Sequence, residues 1–439
     1  GFGWSLPLPS ITRKTEKGLP RYDDAADSDI FILSGAEDLV PVLIKQGEQW
    51  SAEKVPQRKI GSQTYDIRRY RSRIEGLFAR IERWSNTTDP TDVIWRSISK
   101  DNITTWYGKT KASRIYDPTD HSHVFSWLIC ESYDDKGNAV VYEYKRENSQ
   151  EVLQTVAHEK HRKNPSHSAN LYLQHIKYGN TPSRHVETDL GKVEWLFEVV
   201  FDYGEHDADQ PFLRKEVKNW DCRQDPFSMY RAGFEVRTYR LCQRVLMFHH
   251  FQHEDIGANC LVRSTDFEYS YETQPNNVSS PIYSFIESAK QIVYQRQDDG
   301  TYARRPLPPV TFEYAECKIS DTIRDVDPAS LESLPCGLDG RNYQWVDLDG
   351  EGLSGILTEQ GGGWFYKRNL SPATERKVNQ DSFTDVCLAP LKLVASKPSL
   401  AALNSGEQQL LDLAGDGQLD LAMLSGPVPG FYERNADEG

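Results

Sequence analysis

Apolar and polar residues alternate through much of this 439-residue chain. Between Tyr65 and Trp106 the alternation is dense and heavily charged, as in Tyr70-Arg71-Ser72-Arg73-Ile74-Glu75 running on through Ala79-Arg80-Ile81-Glu82-Arg83-Trp84. A period of two sends successive side chains to opposite faces, so this stretch predicts long strands with one wet face. Val124 to Tyr133 and Ala139 to Tyr144 are two more strands, joined by the turn-forming Asp134-Asp135-Lys136-Gly137-Asn138 as a hairpin. Strands are also predicted at Leu171 to Tyr178, at Trp195 to Tyr203 and from Phe234 to Phe251. In the last of these the apolar residues pass from even positions (Phe234, Val236) to odd ones (Tyr239, Leu241, Val245, Met247), which predicts a β-bulge. Two segments read as helix. Glu147 to Arg162 lacks Gly and Pro, puts Val152, Val156 and His161 near one face and stops before Asn164-Pro165; Ile282 to Val293 is a shorter one. Prolines at positions 7, 9 and 20 rule out a helix in the first fifty residues, where turns separate short apolar runs.

The C-terminal part contains an internal repeat. Val346-Asp347-Leu348-Asp349-Gly350-Glu351-Gly352 returns as Leu411-Asp412-Leu413-Ala414-Gly415-Asp416-Gly417, a period of 65 residues counted from Asp347 to Asp412. The likeness resumes, after one inserted residue, as Phe365-Tyr366-Lys367-Arg368-Asn369 against Phe431-Tyr432-Glu433-Arg434-Asn435. Units of this size are supersecondary modules whose neighbours stack to bury an apolar face. An apolar residue, an Asp/Gly turn, a short apolar strand, a second turn and an aromatic strand is the order of a β-propeller blade. The turn could hold Ca2+, but each copy lacks one ligand of a D-x-D-x-D-G loop. The first has Gly355 at the ninth place and the second has Ala414 at the third, so a metal-free turn shaped by its own amides is the stronger expectation. Arg305-Pro306-Leu307-Pro308-Pro309 is a stiff segment, and the Pro- and Gly-bearing 327–340 reads as a linker. The domain scheme is therefore a β-rich domain over 1–326, that linker, and the first two or so blades over 341–439. The fold class expected is all-β, mainly antiparallel.

Composition agrees with strands. There are 22 Tyr, 17 Phe and 10 Trp against only 38% hydrophobic residues, so the core must lean on rings. A net charge of −14 offers no field for phosphate backbones and excludes nucleic acid as an expected partner. No apolar run approaches the roughly 20 residues that span a bilayer, and Phe2 to Leu8 is too short for a signal peptide. The chain starts without Met and stops soon after the second repeat copy, so it reads as a piece of something longer. Seven scattered cysteines (Cys130, Cys222, Cys242, Cys260, Cys317, Cys336 and Cys387), with no C-x-x-C, read as reduced thiols of a protein folded in a cytosol.

Candidate chemistry is sparse. His249, His250 and His253 stand beside Glu254 and Asp255, and His158 stands near His161, but neither group has the H-E-x-x-H spacing of a zinc helix. Gly108-Lys109-Thr110 ends like a phosphate loop, yet Ile103 occupies the place of the first glycine. The acidic Asp23, Asp24, Asp27 and Asp29 read as a solvated loop. There is no G-x-S-x-G elbow and no Cys/His signature. The expectation is that catalytic, cofactor-binding and metal residues are none, and that the chain is not an enzyme.

Longer runs carry a resemblance. Gly1-Phe2-Gly3-Trp4-Ser5-Leu6-Pro7-Leu8-Pro9-Ser10-Ile11, Lys17-Gly18-Leu19-Pro20-Arg21-Tyr22-Asp23-Asp24 and Ser34-Gly35-Ala36-Glu37-Asp38-Leu39-Val40-Pro41 resemble the B component of bacterial Tc (toxin complex) insecticidal toxins, whose N-terminal region is an SpvB-type virulence domain. Ala232-Gly233-Phe234-Glu235-Val236-Arg237-Thr238-Tyr239-Arg240 and Met247-Phe248-His249-His250-Phe251 are similar to it as well, and the Asp/Gly repeats resemble the FG-GAP-like blades that follow in that family. The resemblance implies a non-enzymatic β-shell. With a C component, an RHS/YD-repeat protein, the B component encloses a cytotoxic effector, and its propeller docks on and gates the pentameric, pore-forming A component. It also implies a secreted complex made in the bacterial cytoplasm, with no direct membrane insertion by this chain. A closed propeller needs four or more blades, and about two are present. The same N-terminal domain precedes an ADP-ribosyltransferase in some virulence proteins; that module needs an E-x-E pair, and no two glutamates here stand two apart. A carrier half of such a protein, and a calcium-dependent propeller adhesin or carbohydrate-binding module, are the alternatives.

Overall fold

The computed structural model describes residues 6–433 apart from 16–17, 25, 34–36, 54, 77, 157–158, 161, 163–168, 255, 271–283, 315–324, 335–342, 372–374, 379–380, 399–400, 404–407, 414–417 and 426–427. The chain is built almost wholly of antiparallel strands, as its alternation predicts, and divides into two compact units, 1–315 and 316–439.

The first unit is organised around a ring of eight strands: β1 (Ser10–Arg13), β2 (Phe31–Leu33), β3 (Glu37–Pro41), β4 (Gln63–Ser72), β5 (Arg80–Asn86), β6 (Val93–Ile98), β7 (Thr104–Tyr107) and β8 (Val124–Tyr133). Each pairs with the next, and β8 returns to β1 through Ile11 opposite Trp127, so the sheet closes on itself. A ring of this number leaves an interior just wide enough for side chains. Every strand fills it: Ile11, Phe31, Leu39, Tyr70, Ile81, Trp95, Tyr107 and Trp127 form one cluster. The rings meet edge to face, with Phe31 4.9 Å and Tyr70 5.1 Å from Trp95, and the Trp127 indole donates to the Val93 carbonyl at 2.7 Å. The alternate positions Tyr65, Ile67, Trp84, Ile94 and Trp106 form a separate cluster on the opposite face.

Gly108 shows why one position tolerates no side chain. Its φ is +61°, and a Cβ there would stand 2.3 Å from the Trp127 ring. The acidic run is only half a solvated loop: Asp23 and Asp27 are exposed, Asp27 pairing with Arg68, whereas Asp24 and Asp29 both accept from the buried Arg13 guanidinium at 2.7 Å and Asp24 also pairs with Arg83. Arg13 in turn lies over the Phe31 and Trp127 rings.

From β8 an antiparallel ribbon extends through β9 (Ala139–Arg146), β10 (Leu171–Thr181), β11 (Glu194–Asp202), β12 (Arg244–Phe251), β13 (Gly257–Tyr269), β14 (Ile286–Arg296) and β15 (Tyr302–Pro306). Most side chains along β9 and β10 are only partly covered on either face. The predicted hairpin at 134–138 is present, with Asp134 accepting from the amides of Lys136 and Asn138 at 2.9 Å.

Both helix expectations fail in the described residues. In 147–162 the inward groups are glutamates: Glu147 pairs with Arg240, and Glu159 with Arg237 and Tyr239, while Ser149 and Glu151 both take φ +59°. Spacing of Val152 and Val156 lost to these two buried ion pairs. The 286–293 part of the second segment is strand, paired along its length with β13 and on its other side with Val310 and Thr311 and then, from Ile292, with β15; Ile282 and Tyr283 lie outside the described residues. The parity change in 234–251 has two sources. The chain leaves one hairpin at Thr238 and joins the ribbon at Arg244, with irregular residues between, and register shifts then occur at Met247/Phe248 and His249/Phe251.

In the second unit, β16 (Tyr343–Val346), β17 (Gly355–Gln360), β18 (Gly363–Lys367) and β19 (Lys392–Leu393) make a four-stranded sheet; β20 (Gln408–Leu411), β21 (Asp420–Met423) and β22 (Gly430–Tyr432) make a three-stranded one. The ladders repeat at a spacing of 65: Val346 faces Gly355 as Leu411 faces Asp420, and Gln344 faces Leu357 as Gln409 faces Ala422. The third strand keeps that spacing too, since Leu357 faces Tyr366 as Ala422 faces Phe431. Phe431 therefore takes the place of Tyr366, and the one-residue insertion read from the sequence is absent from the ladder. A single turn of helix, Pro328–Leu331, is capped by the Asp327 carboxylate, which accepts from the Ser330 amide at 2.8 Å.

Candidate functional site

The densest titratable groups lie on β11 and the turn after it. Glu198 and Asp202 are four residues apart on one strand, so both side chains emerge on the same face. Glu198 is buried, yet its carboxylate accepts from Arg214 at 2.5 and 2.9 Å and lies 2.9 Å from His175 and 3.2 Å from His250. Burial pushes its pKa up, but those partners prevail and hold it well below the ordinary carboxylate range. The group lines a cleft of about 320 Å³ together with Lys177, Trp195 and Asn259. Surrounded by cationic and imidazole donors, it is suited to clamping strands and not to proton transfer.

Asp202 ends β11. Arg244 on β12 grips its Oδ2 at 2.5 and 2.8 Å, while its Oδ1 accepts from the amides of Gly204 and His206 and lies 3.4 Å from His206 Nδ1. Burial opposes the Asp202 charge, but His206 and Arg244 hold its pKa low. Glu205 is shifted the opposite way, by burial first and by the neighbouring Asp202 charge; its Oε2 accepts from the Tyr203 amide at 2.6 Å. Sequence reading missed Asp202, Glu205 and His206. Their signal was local, two acids and a histidine within five residues at the end of an apolar strand that was read only as far as Tyr203.

The residues that sequence did single out are dispersed. His249 packs edge-on to Phe197 and Phe251, His250 belongs to the Glu198 clamp, and His253 is exposed in the following turn. His158 and His161 lie outside the described residues. Lys109 pairs with Glu131 at 2.5 Å. In the first Asp/Gly turn, Asp347 accepts from the amides of Glu351 and Gly352 at 3.1 and 2.6 Å, and Glu351 pairs with Arg368. In the second, Asp420 accepts from the Leu413 amide, and 414–417 are outside the described residues. Cys130, Cys222, Cys242, Cys260 and Cys387 are free thiols; burial pushes Cys222 up to about 11. Cys317 and Cys336 are outside the described residues.

Residues 1–251 match the family described as Salmonella virulence plasmid 65kDa B protein. The mono(ADP-ribosyl)transferases SpvB of Salmonella typhimurium and Salmonella dublin are each 36% identical over 317 residues, which is 70% of this chain and 50% of theirs. This chain thus spans about half the length of those relatives. Among solved structures, the N-terminal domain of effector protein SpvB from Salmonella typhimurium strain LT2 superimposes with a TM-score of 0.58 at 34% identity, covering 67% of this chain and 89% of that one. A chain of the Photorhabdus luminescens Tc holotoxin pore superimposes with a TM-score of 0.74 at 27% identity, covering 100% of this chain and 19% of that one. A chain of the TcdB2-TccC3 crystal structure gives 0.69 at 28% identity, covering 95% and 19%. With more than half its length matched by the family, 67% of it superimposed on the N-terminal domain of SpvB and its whole length on a Tc toxin chain, this chain belongs to the SpvB family.

Proposed function

We propose that this chain is the N-terminal part of the B component of a Tc toxin, a non-enzymatic assembly subunit. On this reading residues 1–326 are a section of wall in a hollow shell, completed with a C component of RHS/YD-repeat type that carries the cytotoxic effector. Residues 341–439 are the first blades of an FG-GAP-like propeller that docks on and gates a pentameric, pore-forming A component. The assembled complex acts outside the producing cell, and this chain neither enters the bilayer nor binds nucleic acid.

The carrying observation is coverage. The SpvB N-terminal domain accounts for 67% of the chain, whereas the Tc holotoxin chain accounts for all of it, including the repeat unit. The ribbon supports the reading physically. A sheet with both faces half-covered, ending in exposed Leu307, Val310 and Phe312, needs further neighbours to complete its burial. The name of the curated relatives favours a second reading, in which the same wall carries an ADP-ribosyltransferase further along the chain.

The test is assembly. The full-length protein containing this chain, co-expressed with its C component, should purify as one closed particle by electron microscopy and be retained by an immobilised A pentamer. A monodisperse particle that never binds the pentamer removes the gating role. Failure to co-purify with the C component, together with mono(ADP-ribosyl)transferase activity of the full-length protein, moves the assignment to the second reading.

A further inference from the structure

The group at the end of β11 has properties that a simple ion-pair network does not explain. Asp202, Glu205 and His206 are all buried, at 0%, 0% and 6% exposure, and their donor atoms lie within 4.8 Å of one another. Within this group Glu205 Oε1 and His206 Nδ1 have no hydrogen-bond partner, their charged neighbours standing off at 3.6 Å (Lys145 Nζ) and 3.4 Å (Asp202 Oδ1). Buried polar atoms left so are rare in folded proteins and call for a reason. The bases nearby do not supply one. Arg244 is committed to Asp202 Oδ2, and Lys145 lies 2.9 Å from Glu216 but 3.6 Å from Glu205 Oε1. Asp202, Glu205 and Glu216 therefore outnumber Arg244 and Lys145, and a further buried carboxylate oxygen without a partner, Asp266 Oδ1, stands on the strand paired with Arg244.

We propose that Asp202, Glu205 and His206 form a mononuclear site for a divalent first-row transition ion, with Zn2+ the best fit. The donor set is one imidazole nitrogen and two carboxylate oxygens, which zinc accepts at about 2.0–2.2 Å. Donors around a tetrahedral ion stand about 3.4 Å apart, and the three groups already lie within 4.8 Å of one another, so rotation of the Glu205 and His206 side chains would close the site on the ion. Ca2+ and Mg2+ fit poorly, since they want six or more oxygen ligands and no nitrogen. The His206 ring presents its Nδ1 to Asp202, 3.4 Å from Oδ1. Glu205 Oε1 and His206 Nδ1 would both be satisfied by the ion, and the excess negative charge would be neutralised. The Gly204 amide and Arg244 orient Asp202 as outer partners of a ligand do. The ion's role is structural. It pins the 203–206 turn to β11, and through Arg244 to β12, in the half-covered ribbon.

The test uses the 439-residue chain after EDTA treatment and dialysis. Addition of Zn2+ alone should load one equivalent per chain by mass spectrometry of the metal and raise the thermal midpoint, as any ligand of the native state does. Glu205→Gln and His206→Gln should each lose the equivalent and the rise, while His253→Gln, at an exposed histidine elsewhere, should keep both. Because a variant at a buried site can misfold, Co2+ loading of the unaltered chain is the second measurement. It should give the visible bands of a low-symmetry four- or five-coordinate site without thiolate charge transfer. Zinc retained in the Glu205→Gln and His206→Gln variants, or an unaltered chain that shows neither a midpoint rise with Zn2+ nor Co2+ bands, overturns the proposal and leaves a metal-free Asp202–His206 contact.

Discussion

Replacing Arg240 with methionine tests the account of the 147–162 segment. The Glu147 and Arg240 side chains are fully buried, joined by contacts of 2.5 and 3.0 Å, and Arg240 also donates to the carbonyls of Trp220 and Asp221 while lying over the Trp220 ring. Arg240→Met leaves the Glu147 carboxylate buried without its cation, a loss of about 3–5 kcal/mol. Spread over the unfolding entropy of a unit of 315 residues, at roughly 2.1 cal/mol/K per residue, that corresponds to a fall in thermal midpoint of about 5–8 °C. Adding Glu147→Gln should recover at least half of it, because the side-chain amide carbonyl introduced at position 147 can still accept from the Asn148 and Ser149 amides that now reach Glu147 Oε1. Differential scanning fluorimetry reads the midpoint of the unit from its tryptophan emission, to which Trp220 beneath the guanidinium contributes. A single variant that loses less than about 1 °C, or a double variant no more stable than the single, would show that the ion pair does not anchor the segment.

Two further outcomes follow from the same coordinates. Gly108→Ala should cost at least about 2 kcal/mol, since its φ of +61° is strained for alanine and the new methyl meets Trp127; Gly61→Ala, at φ +57° with open space around it, should cost only about 1 kcal/mol, and equal losses in urea unfolding would refute the clash. Glu198 has a depressed folded pKa, so its contribution is fully present above the unfolded value of about 4.3 and declines as pH falls below that toward the folded value. The stability of Glu198→Gln should therefore be flatter than that of the unaltered chain across the acid limb of a urea-midpoint profile, and parallel limbs would refute the clamp.

What could be read from the sequence follows the range of the forces involved. Alternation is local, so strands such as Val124–Tyr133 and the hairpin after it were legible to within a residue or two. The repeat was legible because two copies of one ladder must use equivalent residues at Asp347 and Asp412, and their pairings do recur at the same spacing. Its third strand misled because Phe365-Tyr366 and Phe431-Tyr432 match as letters, whereas the ladder sets Phe431 level with Tyr366.

Two of the failures, the helix expected over 147–162 and the solvated loop expected around Asp24, share one cause, a charge whose partner lies elsewhere in the chain. Glu147 meets Arg240 across 93 residues and Glu159 meets Arg237 across 78, so the helix expected between them competes with contacts that periodicity cannot register. Arg13 likewise draws Asp24 and Asp29 out of solvent. In a chain that is 26% charged and only 38% hydrophobic, such pairs must do part of the ordering that an aliphatic core does elsewhere. Glu198 and the Asp202 group belong to the same pattern. Their neighbours His175, Arg214, Arg244 and His250 come from three other segments of the unit, and only pairing β10, β11 and β12 brings them together. The Glu198 clamp, assembled across a ladder, leaves no spacing motif, whereas Asp202, Glu205 and His206 lie within five residues and were passed over for the histidines adjacent in sequence.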